Sequence, residues 1–152
     1  MSIGVDVRVQ ELTERTLLPG IQIESGRLVV DPSKLVWPGD LLHEAGHLAI
    51  VPAALRPTIG GELPVDPLVQ HAGEAEATAW AYAALVTIGL PPEVLFHAGG
   101  YHGKSQALIF SYTNGVYLGA AGLGAAGLAA TPEEVRSAGL PGYPNMRRWL
   151  RA

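Results

Sequence analysis

The sequence of 152 residues has no cysteine and few charged residues, which make up 16% of the chain. Without cysteine, neither a disulfide framework nor a thiolate metal site can form, so any metal must be bound by histidine and carboxylate side chains. The formal net charge is -4, and the basic residues cluster only in the short group Arg147, Arg148 and Arg151. We therefore do not expect a nucleic-acid partner.

The sequence also lacks a long uninterrupted apolar run. Residues 116–130 are small and apolar, but the run is shorter than the roughly 20 residues that cross a bilayer, and Asn114 and Pro132-Glu133-Glu134 bound it. This segment is therefore predicted to be a buried helix in a protein without a membrane partner. The first ten residues lack the basic and apolar regions of a secretory signal, so a cytoplasmic location is expected.

Hydrophobic residues make up 48% of the sequence, and glycine and proline are frequent, a balance typical of a loop-rich globular protein. At this length one domain spanning residues 1–152 is expected. The patterns predict an α+β fold in which a small sheet or hairpin packs on helices. The predicted elements are a helix over 5–18, a β-hairpin over 21–30, a helix over 40–51, a loop over 56–70, a helix over 73–89, a helix from about Thr131 and a short helix over 145–151.

Local signals support these elements unequally. A helix is predicted for residues 5–18, although Val5, Val7 and Val9 also alternate as in a strand. The hairpin has apolar pairs on both sides of a turn-like Glu-Ser-Gly-Arg sequence at 24–27. Asp40 is predicted to be the N-cap of the next helix, which Pro52 ends.

The motif His43-Glu44-Ala45-Gly46-His47 lies in the helix predicted over 40–51. Residues four apart share a helix face, so both imidazoles can reach one ion, and Glu44 points to the open side of that ion. A zinc ion with three protein ligands keeps a fourth position for water and lowers the pKa of that water to about 7. The motif therefore predicts a zinc site in which Glu44 is the general base of a hydrolase.

The set of residues that could be the third metal ligand is narrowed by elimination. A metzincin would have Gly and His three and six residues after His47, but Ile50 and Ala53 occupy those positions. A glutamate from a following helix is the other solution, and Glu74 and Glu76 are its two candidates. Glu74 lies roughly 50° and Glu76 about 110° from the centre of the apolar face of that helix. Glu74 is the predicted ligand and Glu76 the alternative.

Two segments together resemble a known family. Residues 40–48 read Asp-Leu-Leu-His-Glu-Ala-Gly-His-Leu, and residues 74–81 read Glu-Ala-Glu-Ala-Thr-Ala-Trp-Ala. They resemble the ImmA/IrrE family of small metallopeptidases, whose second motif is Glu, two variable residues, Ala, Asn or Asp, one variable residue, Phe and Ala. The resemblance, over about residues 40–91, implies a zincin-like fold with a gluzincin-type zinc site, peptide hydrolysis and, in bacterial relatives, the cleavage of repressors or the sensing of stress.

The sequence departs from that family at two points. Thr78 stands where the family has Asn or Asp, so the group that orients a zinc-bound histidine is predicted to be weaker or to come from elsewhere. No helix-turn-helix pattern is evident, so the sequence gives no support to a transcription-linked role.

Other polar and aromatic residues surround these motifs. His97, Tyr101 and His102 lie in a glycine-rich loop where a zincin can place a donor to the oxyanion of its intermediate, although ordinary loop residues are the favoured interpretation. His71 could support the site or have no role. The remaining aromatic residues are predicted to pack, Trp37 and Trp80 around the metal helices and Tyr112 and Tyr117 in the core or an interface.

The leading hypothesis is a zinc-dependent peptidase acting on a peptide or protein that lies along a strand edge by β-augmentation. Its predicted ligands are His43, His47 and Glu74, and its predicted base is Glu44. Two alternatives stay open: a catalytically silent zinc-binding sensor or interaction domain, and an amide hydrolase acting on a small molecule.

Overall fold

A small sheet and a set of helices make up the part of the chain that the computed structural model describes, residues 3–60 and 67–152, with the side chains of 67–72 not described. The strands are β1 (Val7–Val9), β2 (Ile21–Glu24) and β3 (Arg27–Val30). The helices are α1 (Gly39–Ile50), α2 (Pro67–Ile88), α3 (Pro92–Leu95), α4 (Ser105–Thr113), α5 (Ala120–Ala125) and α6 (Pro132–Ala138). Short 3-10 turns occur at Arg56–Thr58 and Tyr101–Gly103. The arrangement is α+β, as predicted.

The sheet has the strand order β1-β3-β2, so β3 is central and β2 is an outer strand. β2 and β3 form the predicted antiparallel hairpin, with Ile21 opposite Val30. Ser25 and Gly26 at its tip both have positive φ, 47° and 78°. Positive φ at both central residues is the pattern of a type I′ turn, whose twist matches that of the flanking strands.

The helix predicted for residues 5–18 is wrong. β1 pairs in parallel with β3, Asp6 O accepts from Leu28 N at 2.9 Å, and Gln10 N donates to Val30 O at 3.0 Å. The following residues form no regular element up to β2. Pairing with β3 satisfies this backbone, and it overrides a helical pattern of only a few apolar residues.

The helices α1 and α2 pack against each other through small residues, and α1 also contacts β2 and β3. Every residue from 77 to 85 in α2 is buried, and five of them are alanines. A Cβ atom at Gly46 of α1 would lie 2.5 Å from Ala77 O, so the backbones can approach this closely only with glycine there. This contact determines how the two helices face each other.

The boundaries of both helices differ from prediction. α1 begins at Gly39 with Pro38 as N-cap and no side-chain cap, so the prediction of Asp40 as N-cap is wrong. α2 begins at Pro67, inside the loop predicted over 56–70, and ends at Ile88 as expected. The rest of that predicted loop includes residues 61–66, which lie outside the described residues.

In the C-terminal third, the structure confirms one of the predicted helices and corrects the prediction of two others. α6 begins after Thr131, whose side chain forms a capping box with Glu134. The helix predicted over 116–130 is restricted to α5, because Gly119 and Gly127 have positive φ at either side of it. No helix forms over 145–151, where Trp149 O instead accepts from Trp80 Nε1.

Among the helices of the described residues, none has the length and apolar character needed to cross a membrane.

Candidate metal centre

His43, His47 and Glu74 meet at the contact between α1 and α2. His43 Nε2 and His47 Nε2 lie 3.1 Å apart. His43 Nε2 is 3.2 Å from Glu74 Oε2, and His47 Nε2 is 3.1 Å from Glu74 Oε1. Three donor groups that converge in this way could bind one divalent metal ion.

The positions of the three side chains follow from two helices. His43 and His47 are one turn apart on α1, so their imidazoles lie side by side and meet edge to face. Glu74 lies in α2, three residues before Ala77, where Gly46 brings the two backbones together. The side chain of Glu74 is 47% exposed, so the cluster is open to solvent on one side.

The electrostatics of the cluster favour an anionic Glu74 between the two imidazoles. Hydrogen bonds from His43 and then from His47 lower the pKa of Glu74 well below its usual range. Burial alone would lower the pKa of His47, but its hydrogen bond to Glu74 and the charge of Glu44 outweigh that effect and raise it. The negative charge needed to hold a cation is thus already in place.

Glu44 lies between the two candidate ligands of α1 in the chain and borders a groove. Burial raises the pKa of Glu44, against the opposing charges of His47 and His43. The groove has a volume of about 560 Å³ and runs between the outer strand β2 and the segment that precedes it. Its lining residues are Glu14, Arg15, Thr16, Leu17, Leu18, Ile21, Gln22, Ile23, Glu24, Glu44 and Gly60.

Asp40 has a role that the sequence did not reveal. Instead of capping α1, its buried carboxylate accepts a hydrogen bond from His97 Nε2 at 2.7 Å. Trp37 stacks on the ring of His97, with the two ring centres 4.3 Å apart and the rings nearly parallel. The position of Asp40, three residues before His43 on one helix face, was the signal that could have indicated a role near the site.

Tyr101 reaches the candidate metal ligands from the glycine-rich loop. Its Oη lies 3.4 Å from His43 Nδ1, and its ring meets that imidazole edge to face at 5.7 Å. Burial, followed by the negative charges of Asp40 and Glu74, raises the pKa of Tyr101 above its usual value. The phenol therefore keeps its proton at neutral pH. Of the three polar residues of this loop, Tyr101 is the one in contact with a ligand.

The other predicted residues lie away from the cluster. Glu76 packs against Gly122 of α5, and its Oε2 is buried without a hydrogen-bond partner among the described residues. His102 is exposed, and the side chain of His71 lies outside the described residues. Trp80 and Tyr112 are buried in the core as predicted, and Tyr117 packs against Tyr112.

Comparisons with known proteins return no family model, no curated protein and no solved structure that matches this chain. The likeness to the ImmA/IrrE family therefore stays a hypothesis that depends on the two short motifs alone.

Proposed function

We propose that this protein is a zinc-dependent hydrolase of zincin-like fold that cleaves peptide bonds. The observation that carries the proposal is the convergence of His43, His47 and Glu74, whose facing atoms lie 3.1 to 3.2 Å apart. Tetrahedral zinc with bonds of about 2.0–2.1 Å has its ligand atoms roughly 3.3 Å apart. Two imidazoles, one carboxylate and an open fourth position are the ligand set of a catalytic zinc site.

Zinc, when bound, polarises the substrate carbonyl and makes water a stronger acid. Glu44 accepts the proton of the attacking water as the oxygen forms its bond to the carbonyl carbon. Glu44 then passes that proton to the nitrogen as the carbon–nitrogen bond breaks. The raised pKa of Glu44 makes its carboxylate a stronger base, which suits the first step.

The groove beside Glu44 supports a peptide rather than a compact small molecule as the substrate. β2 forms one wall, and on the edge that does not pair with β3 Ile21 N donates to Leu18 O while Gly60 lies against Ile23 O. An extended peptide can lie along this wall and pair with the backbone groups of β2 that neither β3 nor these contacts use, with alternate side chains directed into the groove. A peptide held in this way passes Glu44, which lines the same groove.

The substitution Glu44→Gln tests the proposal. Glutamine has nearly the same shape but cannot accept the proton, so zinc content should stay near one ion per chain while peptide cleavage falls by about 100-fold or more. Glu11→Gln, an identical change at an exposed position outside the groove, should leave both quantities within about twofold. Mass spectrometry of a peptide library and elemental analysis would measure the two effects.

A different outcome would favour the sensor alternative. If the wild-type protein binds zinc but cleaves no member of a broad peptide library, the site is a binding site rather than a catalytic one. If Glu44→Gln cleaves as fast as the wild type, the role of Glu44 as general base is excluded.

A further inference from the structure

The Nδ1 atom of His43, which faces away from the cluster, has a neighbouring side chain that can support the metal centre. His43 directs Nε2 towards Glu74 and His47, so Nδ1 is the nitrogen that faces away from the cluster. A neutral imidazole that binds a metal through Nε2 carries its proton on Nδ1. The group next to that nitrogen is the Tyr101 hydroxyl, at 3.4 Å, which is long for a hydrogen bond but in position to accept one.

We propose that Tyr101 is a positioning residue of this centre, which accepts the Nδ1–H of His43 and sets the orientation of the ring. The inference rests on the proposed metal site but not on the proposed hydrolysis.

The backbone around Tyr101 is held in an uncommon conformation. Tyr101 and His102 both have left-handed φ, 56° and 51°, a region that residues other than glycine seldom adopt. Such conformations persist where the surrounding contacts compensate for them, and they cluster at functional sites. Here the ring of Tyr101 packs against His43 and, at 5.2 Å, against Phe96.

The Asp40–His97 pair holds this turn on the helix that carries the ligands. Its hydrogen bond of 2.7 Å is buried at both ends. Ser105 Oγ donates to His97 O at 2.6 Å and lies 3.5 Å from Gly100 O, so the segment on both sides of Tyr101 is tied together. Because Asp40 and His43 lie on one face of α1, the pair fixes the distance between Tyr101 and His43.

The positioning role of the Tyr101 hydroxyl is tested by measuring the binding of Co²⁺ alone, without any substrate. Tyr101→Phe keeps the ring and removes Oη, so Co²⁺ affinity should fall by about tenfold, the lower end of the losses seen when such supporting groups are removed. The visible absorption spectrum of bound Co²⁺ should change as well, since it reports the coordination geometry. Tyr117→Phe removes a hydroxyl in the aromatic cluster around Tyr112 and should alter neither quantity.

The connection to the Asp40–His97 pair is tested by a double-mutant cycle. Asp40→Ala should weaken Co²⁺ binding by a similar factor, and the double variant Asp40→Ala/Tyr101→Phe should be no weaker than the weaker single variant. Asp40→Asn keeps an acceptor for His97 Nε2 and should restore most of the affinity. Fully additive losses would show that the pair does not act through Tyr101.

The outcomes separate this inference from the proposed function. If the wild type binds no Co²⁺, the metal site itself is wrong and the inference fails with it. If the wild type binds Co²⁺ but Tyr101→Phe has the same affinity and spectrum, only the positioning role is overturned. A lower kcat with unchanged binding and spectrum would also overturn it, and would indicate a donor to the oxyanion instead.

Discussion

The two helices and the turn at Tyr101 bring side chains to the same site by different physical means. α1 and α2 have 12 and 22 residues, and most of their backbone groups are satisfied within each helix. The turn has left-handed residues and depends on two side-chain hydrogen bonds, one that Asp40 accepts from His97 and one that Ser105 donates to His97 O. We infer that the ligands should keep their spacing when the turn is disturbed, whereas the turn cannot keep Tyr101 in place without α1.

The largest expected effect comes from removing a ligand on the helix side of this comparison. His43→Ala or His47→Ala should abolish stoichiometric zinc binding, since two remaining ligands hold zinc far more weakly than three. Elemental analysis after equilibration with zinc and desalting measures this. His102→Ala, on the exposed part of the turn, should retain about one ion per chain. If His43→Ala and His102→Ala lose equal amounts of zinc, the helices and the turn do not differ in their role in metal binding.

The next effect separates the two neighbouring carboxylates of α2. Glu74→Ala should weaken zinc binding by at least about tenfold, while Glu76→Ala should leave it nearly unchanged. The reason is that Glu74 contacts both imidazoles, whereas Glu76 packs against Gly122 on the other side of the helix. Competition with a zinc chelator measures both variants. The reverse ranking would mean that α2 presents its other face to α1.

The smallest effect concerns the contact between the helices rather than a ligand. Gly46→Ala should lower the free energy of unfolding, because overpacking against Ala77 O costs about 1–3 kcal/mol and the better helix propensity of alanine returns only about 1 kcal/mol. Gly73→Ala in α2 would meet only Ile50 Cδ1, at an ordinary 3.5 Å, among the described atoms. It should be neutral or stabilising.

Urea unfolding of the metal-free proteins measures this pair of variants. A Gly46→Ala protein as stable as Gly73→Ala would show that the helices can separate without cost. The close approach would then not be what sets the distance from Glu74 to the histidines.

Those parts of the structure that depend on local sequence were predicted well. The hairpin follows from apolar pairs around a turn whose two central residues adopt positive φ, and α6 follows from the Thr131 capping box. The spacing of His43 and His47 follows from the helical repeat alone. Helical phase also selected Glu74 over Glu76, because a face that packs against α1 must be the apolar one.

The parts that depend on distant partners were not predicted. The strand β1 exists through its pairing with β3, and the last residues find their hydrogen bonds on Trp80 and Ala49 instead of in a helix. Asp40 was predicted to be an N-cap from its position just before the helical pattern. Its actual partner, His97, was missed because it lies 57 residues further along the chain. A local pattern contains no information on such contacts.

The sequence by itself determined the chemistry of the candidate site: no thiolates, two histidines one helical turn apart, and a glutamate between them in the chain. Tertiary structure decided how closely the second helix approaches the histidines and which loop side chain reaches His43. The physical reason is that periodicity fixes directions within one helix, whereas distances between elements depend on packing, here on the absence of a side chain at Gly46 and on the buried Asp40–His97 hydrogen bond.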